Sequence, residues 1–153
     1  MANILVVDDE DDVRLSLHRR LTREGHTVAT AGSQAAAIEC INASEIPFDV
    51  VLTDMLMESP NSGVEVLKAT LARDVFTEVV ILTAYGNVAN AVECMKMGAF
   101  DYVEKNIPGV DVYELICIKI DQALDRRRSS LSTVRKLEQF ARFQDKREGR
   151  NSS

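Results

Sequence analysis

Three aspartates and a threonine follow short apolar runs of the sequence, a lysine ends another predicted strand, and all five carry groups that could do chemistry together. Asp8 and Asp9 follow the run ILVV, Asp54 follows VVLT, and Thr83 follows VVIL. Lys105 ends the stretch FDYVEK. A lone aspartate after such a run is either a turn residue or a group presented to a ligand. A ligand site requires that the fold bring all five side chains to one place.

Three carboxylates in one pocket repel each other, so their charge must be balanced. A pair of carboxylates roughly 4 Å apart costs about 4 kcal/mol at an effective dielectric constant near 20. Lys105 offsets one charge, and a divalent cation offsets the rest. Mg²⁺ suits a site that offers few carboxylates and keeps several waters. An aspartate beside a metal, a lysine and a hydroxyl can accept a phosphoryl group, because these groups balance the charge on the transferring oxygens.

The apolar runs indicate strands that alternate with helices. Strands are predicted at 3–7, 26–30, 50–54, 78–83 and 100–103. Each is followed by helical spacing of apolar residues, as at Val13, Leu17 and Leu21. Regular alternation implies right-handed βαβ units and a parallel sheet covered on both faces. The predicted class is α/β, doubly wound, with the five-stranded order 2-1-3-4-5. In that order strands 1 and 3 flank the point where ligands bind.

Four segments together resemble the receiver domain of two-component response regulators. They are ILVVDDE at 4–10, VLTDM at 51–55, ILTAY at 81–85 and GAFDYVEK at 98–105. The resemblance covers residues 3 to about 125 and rests on the order and spacing of all four segments. It implies a flavodoxin-like fold and a switch controlled by phosphorylation, not an enzyme that turns over a separate substrate.

The resemblance implies a role for each acidic residue. Asp54 is similar to the phosphoacceptor of the family. Asp9 is similar to the direct Mg²⁺ ligand and Asp8 to its partner, acting through water. The backbone carbonyl of Leu56 matches a further metal ligand, and Asp54 itself contributes to the metal site.

The remaining site residues match the switch of the family. Thr83 resembles the hydroxyl that moves to the phosphoryl oxygen, and Lys105 resembles the lysine that binds the phosphoryl group. Tyr102 matches the aromatic residue that moves inward when the threonine shifts. The side chains of Leu56 and Tyr85 would lie over the approach of water to the phosphoryl group. Leu56 has no group that can hold an attacking water, and Tyr85 is bulky enough to shield the phosphoryl oxygens, which predicts a long-lived phosphorylated state. The alternative is that the Tyr85 hydroxyl holds a water and shortens this lifetime.

Two loops depart from the family pattern. Asn106 stands where family members usually have proline after the lysine. The segment 57–63 is one residue longer than is typical and carries its proline late, at Pro60. Neither change removes a chemical group, so the predicted effect is on local loop geometry.

Charge divides the chain into two segments, a receiver domain at 1–125 and a basic helical tail at 126–153. The first has a net charge of −12 and the second of +6. A break is predicted near Ser130, where weak helix formers cluster, and disorder is predicted at 149–153. The tail could be a solvated helix, a packing surface for a second subunit or partner, or, least favoured, a nucleic-acid contact. It is too short for a helix-turn-helix module.

Composition adds an expected location and partners. The hydrophobic fraction is 46% and the charged fraction 27%, typical of a globular protein. No apolar run approaches the roughly 20 residues of a membrane helix, and Cys40, Cys94 and Cys117 are expected to be buried thiols. The resemblance implies a cytoplasmic protein phosphorylated by a histidine kinase or phosphotransfer protein, with a downstream protein or its own second subunit as target.

Two other functions remain open at this stage. The first is a degenerate receiver that acts only as a docking or dimerisation module, although the acids, Thr83 and Lys105 are all present. The second is a phosphatase with an aspartyl nucleophile. Such enzymes carry a second acid two residues after the nucleophile, and here that position is Leu56.

Overall fold

The fold, seen in a computed structural model that describes residues 1–151, is one parallel sheet between two layers of helices. The strands are β1 Asn3–Val7, β2 Thr27–Ala31, β3 Val50–Asp54, β4 Glu78–Ala84 and β5 Asp101–Lys105. The helices are α1 Asp11–Arg23, α2 Gln34–Ala43, α3 Ser62–Arg73, α4 Ala89–Lys96 and α5 Val112–Asn151. The strand order β2-β1-β3-β4-β5 confirms the predicted topology.

The strand side chains form a separate core on each face of the sheet. Leu5 and Val7 of β1 point to the face covered by α2, α3 and α4. Ile4 and Val6 point to the opposite face, where α1 and α5 pack. This alternation is the two-residue period of a strand, and burial on both faces explains why the central strands are continuous apolar runs.

Helix α5 differs from the prediction, because it runs through the expected break near Ser130. No proline or glycine interrupts it before Gly149. The Thr133 hydroxyl donates to the Ser129 carbonyl at 3.0 Å, so this polar side chain is satisfied inside the helix. The helix continues to Asn151, whereas disorder was predicted from residue 149. Residues 152 and 153 lie outside the described part.

Arginines at the start of the basic segment fasten α5 to the body. The Arg127 guanidinium pairs with Asp49 Oδ1 at 2.9 Å and Asp74 Oδ2 at 3.3 Å. Arg126 lies over the Phe100 ring and 3.6 Å from the Glu78 carboxylate. The contacts of the body therefore extend past residue 125. Within residues 1–151, no helix is both long enough and apolar enough to cross a membrane.

Candidate functional site

The five side chains singled out from the sequence lie at one edge of the sheet. Asp8 follows β1, Asp54 ends β3, Thr83 lies near the end of β4 and Lys105 ends β5. Because the strands are parallel, their carboxyl ends share this edge. A cleft of about 340 Å³ there is lined by Asp9, Asp54, Thr83 and Lys105, among others.

Lys105 joins the two buried carboxylates of the site. Its Nζ lies 2.9 Å from Asp8 Oδ2 and 3.1 Å from Asp54 Oδ2. Asp8 is fully buried, and its Oδ1 accepts the backbone N–H of Glu10 at 2.9 Å. Asp54 keeps 7% of its surface exposed, toward the cleft. One ammonium group is thus shared by two carboxylates, and Asp54 is the one that an incoming group can reach.

Burial outweighs the nearby ammonium group at Asp54, whereas the nearby carboxylates outweigh burial at Lys105. Burial raises the pKa of Asp54 to about 6, helped by the charges of Asp8 and Asp9 and opposed by the Lys105 ammonium. Burial alone would lower the pKa of Lys105, but the hydrogen bonds and charges of Asp8 and Asp54 raise it above its usual value. The lysine is therefore held in its charged form. The positive charge near Asp54 is too small to offset the effect of burial on its pKa.

The acidic side chains fit a hard divalent cation. Carboxylate oxygens of Asp8, Asp9 and Glu10 lie within 4.8 Å of one another. Oxygen ligands and an uncompensated negative charge suit Mg²⁺. Glu10 was not predicted as a candidate ligand; its signal was its place in the run Asp8-Asp9-Glu10, directly before α1.

Contacts at Glu58 and at Gly63 hold the loop that carries Leu56. The Glu58 carboxylate accepts the Gln34 N–H at 3.1 Å, at the start of α2. At Gly63 a Cβ atom would come within 2.8 Å of Met55 Cα and 3.0 Å of the Asp54 carbonyl oxygen, so only glycine fits. Leu56 lines the same cleft as Asp54, with its side chain 49% exposed.

Thr83 is attached to the loop after β4. Its buried hydroxyl donates to the Asn87 carbonyl at 2.6 Å. Tyr102 is half-buried against the core on the α4 side of the sheet. Tyr85 is 61% exposed and lies outside the residues that line the cleft. The structure thus brings Leu56 to Asp54 but not Tyr85. Asn87, the acceptor for Thr83, was not singled out from the sequence, because its contribution is a backbone carbonyl.

The backbone explains why proline is absent after Lys105. Asn106 has φ of 60°, in the left-handed region. Proline is restricted to φ near −65° and cannot adopt this conformation, whereas asparagine tolerates it. Lys105 contacts both carboxylates, and the loop that follows it has a backbone conformation that proline at residue 106 could not adopt.

Known proteins resemble this chain in sequence and in structure. The family model of the response regulator receiver domain matches residues 4–117. The chain is 38% identical to the regulatory protein AtoC of Escherichia coli (strain K12) over 102 residues, covering 67% of this chain and 22% of AtoC. It is 39% identical to the transcriptional regulatory protein FixJ of Azorhizobium caulinodans over 102 residues, covering 65% of this chain and 46% of FixJ.

Solved structures agree with the fold. A response regulator receiver domain protein from Clostridium thermocellum superposes with a TM-score of 0.73 at 30% identity, covering 84% of this chain and 98% of that one. NtrX from Brucella abortus superposes with a TM-score of 0.76 at 28% identity, covering 87% of this chain and 29% of NtrX. The chain spans less than half of the length of AtoC and FixJ. It belongs to the response regulator receiver domain family.

Proposed function

We propose that this receiver domain takes a phosphoryl group onto Asp54, with Mg²⁺ bound, and changes its binding to a partner as a result. The observation that carries the proposal is the ammonium group of Lys105 shared between Asp8 and Asp54 in a cleft that also exposes Asp9. This arrangement supplies a nucleophile, a fixed positive charge and further oxygen ligands within one small volume. The donor is a histidine kinase or a phosphotransfer protein, as the family implies.

The metal would be held by Asp8, Asp9, Asp54 and the Leu56 carbonyl, and bound there it balances the charge of the phosphoryl oxygens. Ionised Asp54 attacks phosphorus; a P–O bond forms as the P–N bond of the donor phosphohistidine breaks, and the imidazole leaves. Lys105 pairs with a phosphoryl oxygen and so gives up part of its contact with Asp54. The contribution of this chain is mainly positioning and electrostatics.

The switch follows from the position of Thr83. Its hydroxyl is held by the Asn87 carbonyl, and a phosphoryl group on Asp54 offers it a new acceptor in the same cleft. We propose that Thr83 turns toward that acceptor, releases the loop after β4 and lets Tyr102 move inward. A group on Asp54 then biases an existing equilibrium between two arrangements.

The partners are proposed on the same grounds. FixJ is by name a transcriptional regulatory protein, but this chain matches only part of it. The net charge of −12 on residues 1–125 disfavours direct contact with nucleic acid. We therefore propose a downstream protein or a second copy of the chain as the target, in the cytoplasm where the phosphodonor acts.

The experiment is phosphorylation by a small-molecule phosphodonor with Mg²⁺, followed by intact-protein mass spectrometry. One phosphate should add to the native chain, none to Asp54→Asn, and none when EDTA removes the metal. The matched control is Asp49→Asn, which changes an aspartate at the opposite edge of the sheet. A phosphate that still adds to Asp54→Asn would overturn the assignment. If the native chain never takes up phosphate, the proposed phosphoacceptor function is wrong and the docking module is the remaining alternative.

A further inference from the structure

The second half of α5 projects from the body and exposes large apolar side chains. The 40-residue helix is about 60 Å long. Leu131 still lines a cleft against the edge of the sheet, and about 30 Å of helix follows it. Leu137, Phe140 and Phe143 are 58–62% exposed there. Most helical stability in proteins comes from packing of an apolar side against a partner, so burial of Phe140 and Phe143 against another helix would stabilise this segment.

Ten exposed residues share one face of α5 from end to end. At about 100° per residue they lie within about 60° of one direction. The face consists of Glu114, Ile118, Asp121, Asp125, Ser129, Ser132, Lys136, Phe140, Phe143 and Arg147. We call this set the α5 face. Its first half is acidic and its second half is basic.

We propose that the α5 face binds the α5 face of a second copy of the chain, with the two helices antiparallel. The two-fold axis would pass between Ser130 and Leu131. The face is symmetric about this point, so every one of its residues meets a residue of the same face in the second copy. Such isologous pairing is the commonest way in which identical chains form dimers.

The charges of the face match in this arrangement. Glu114 comes opposite Arg147, and Asp125 comes opposite Lys136. Each pair occurs twice because of the symmetry. The Asp125 carboxylate contacts Arg128 on its own helix, but both side chains are more than 70% exposed, and such a pair contributes little. Asp125 is therefore available to Lys136 of the second copy.

The apolar and small residues match as well. Ile118, 48% exposed, comes opposite Phe143, 58% exposed. Ser129 and Ser132 meet at the centre, where small side chains let the two helices approach closely. Phe140 comes opposite Asp121, beside the cleft of about 430 Å³ between α5 and the sheet edge, whose lining includes Leu124. That cleft can receive the ring of Phe140.

Charge selects the antiparallel orientation. Two parallel helices would place Asp125 beside Asp125, Lys136 beside Lys136 and Arg147 beside Arg147. Like charges at these distances are unfavourable. The antiparallel orientation converts each of these contacts into an attractive one. The partner of the basic half is thus the acidic half of the same helix in another molecule.

The experiment is sedimentation equilibrium on the full chain and four variants. The native chain should form dimers. Asp125→Lys and Lys136→Asp should each raise the dissociation constant at least about tenfold, since each breaks two pairs. The double variant should return it to within about threefold of native. Glu138→Lys makes the same charge change on the opposite side of the helix and should leave it unchanged.

A zero-length carbodiimide cross-link tests the orientation. Asp125 and Lys136 are about 16 Å apart along one helix, so a cross-link between them must join two molecules. Its detection by peptide mass spectrometry supports the proposal. A chain that stays monomeric at about 100 µM, or a dimer that ignores the charge swap, overturns it. So does a monomer whose tail binds a DNA duplex instead. Asp54→Asn should pair as the native chain does, which separates this proposal from the phosphorylation proposal.

Discussion

Two opposing effects act on the pKa of Asp54: burial raises it, and the nearby ammonium group of Lys105 lowers it. Burial is the larger, and the pKa of Asp54 is raised from 3.8 to about 6. The ionised carboxylate is therefore less stable in the folded chain than in the unfolded one. The ionised carboxylate therefore carries a cost in folding free energy, which a bound cation would reduce.

This cost can be measured by replacing Asp54 with its neutral isostere. The destabilisation is fully present above the folded pKa near 6 and absent below the unfolded value of 3.8. Asp54→Asn should therefore raise the free energy of unfolding at pH 8, without Mg²⁺, by about 3 kcal/mol. Below about pH 4 the difference should vanish. Urea unfolding at several pH values measures it. The exposed control Glu39→Gln should change the free energy by less than about 0.5 kcal/mol.

The lifetime of the phosphorylated state should depend on Leu56. Its side chain lines the cleft and has no group that can orient a water. Leu56→Asn provides such a group and should speed the loss of phosphate by about fivefold. Tyr85→Ala should have a smaller effect, because Tyr85 lies outside the cleft lining. Release of phosphate from the purified phosphorylated chain measures both rates. Equal rates in all three proteins would show that water access at residue 56 does not set the lifetime.

At the scale of single residues, the sequence predicted which side chains lie together at this edge of the sheet. Asp8, Asp9 and Asp54 are visible in the sequence because they follow apolar runs, and Lys105 because it ends a predicted strand. Asn87 and Glu58 are not, because they act through a backbone carbonyl and through a contact with a distant helix end. Such roles depend on loop conformation, for which local residue types give no signal.

The hydrogen bond between Thr83 and Asn87 links the end of β4 to the loop before α4. A switch at Asp54 should therefore alter this element before others. Phosphorylation should change amide hydrogen exchange within residues 84–104 by about tenfold at the most affected amides. Thr83→Ala should still accept phosphate but lose most of that change. Changes confined to residues 126–151 would argue against this route.

Arg127 should matter more to stability than its neighbour. It is 11% exposed and pairs with Asp49 and Asp74, whereas Arg128 is 72% exposed. Arg127→Met leaves two part-buried carboxylates unpaired and should lower the free energy of unfolding by about 3 kcal/mol. Arg128→Met should lower it by less than about 0.5 kcal/mol. Urea unfolding of both variants tests the difference, and equal losses would mean that the ion pairs of Arg127 are unimportant.

The sequence predicted strands more accurately than the end of α5. Strands β1, β3 and β4 are apolar runs buried on both faces, so their sequence pattern identifies them as strands. The expected break near Ser130 was wrong because serine and threonine weaken a helix by only tenths of a kilocalorie. Arg126 and Arg127 also anchor the residues just before that segment to the body. Such tertiary contacts are not included in the helix propensities of single residues.

The body and the projecting helix should behave as separate parts of the molecule. A chain cut after residue 131 keeps Arg126, Arg127 and both layers of the core. Its free energy of unfolding at low protein concentration should stay within about 1 kcal/mol of native. A chain cut after residue 125 loses the arginines and should be less stable by about 3 kcal/mol. Thermal and urea unfolding compare the two; equal stability would place the boundary at residue 125 after all.

Because α5 is continuous, a small rotation where it is anchored becomes a larger displacement at its far end. The arginine anchor at Arg126 and Arg127 lies near the middle of the helix, and about 36 Å of helix extends past it. A rotation of about 5° at the anchor moves the far end sideways by roughly 3 Å. A shift too small to repack the core at the anchored end is thus large enough to break van der Waals contacts at the free end.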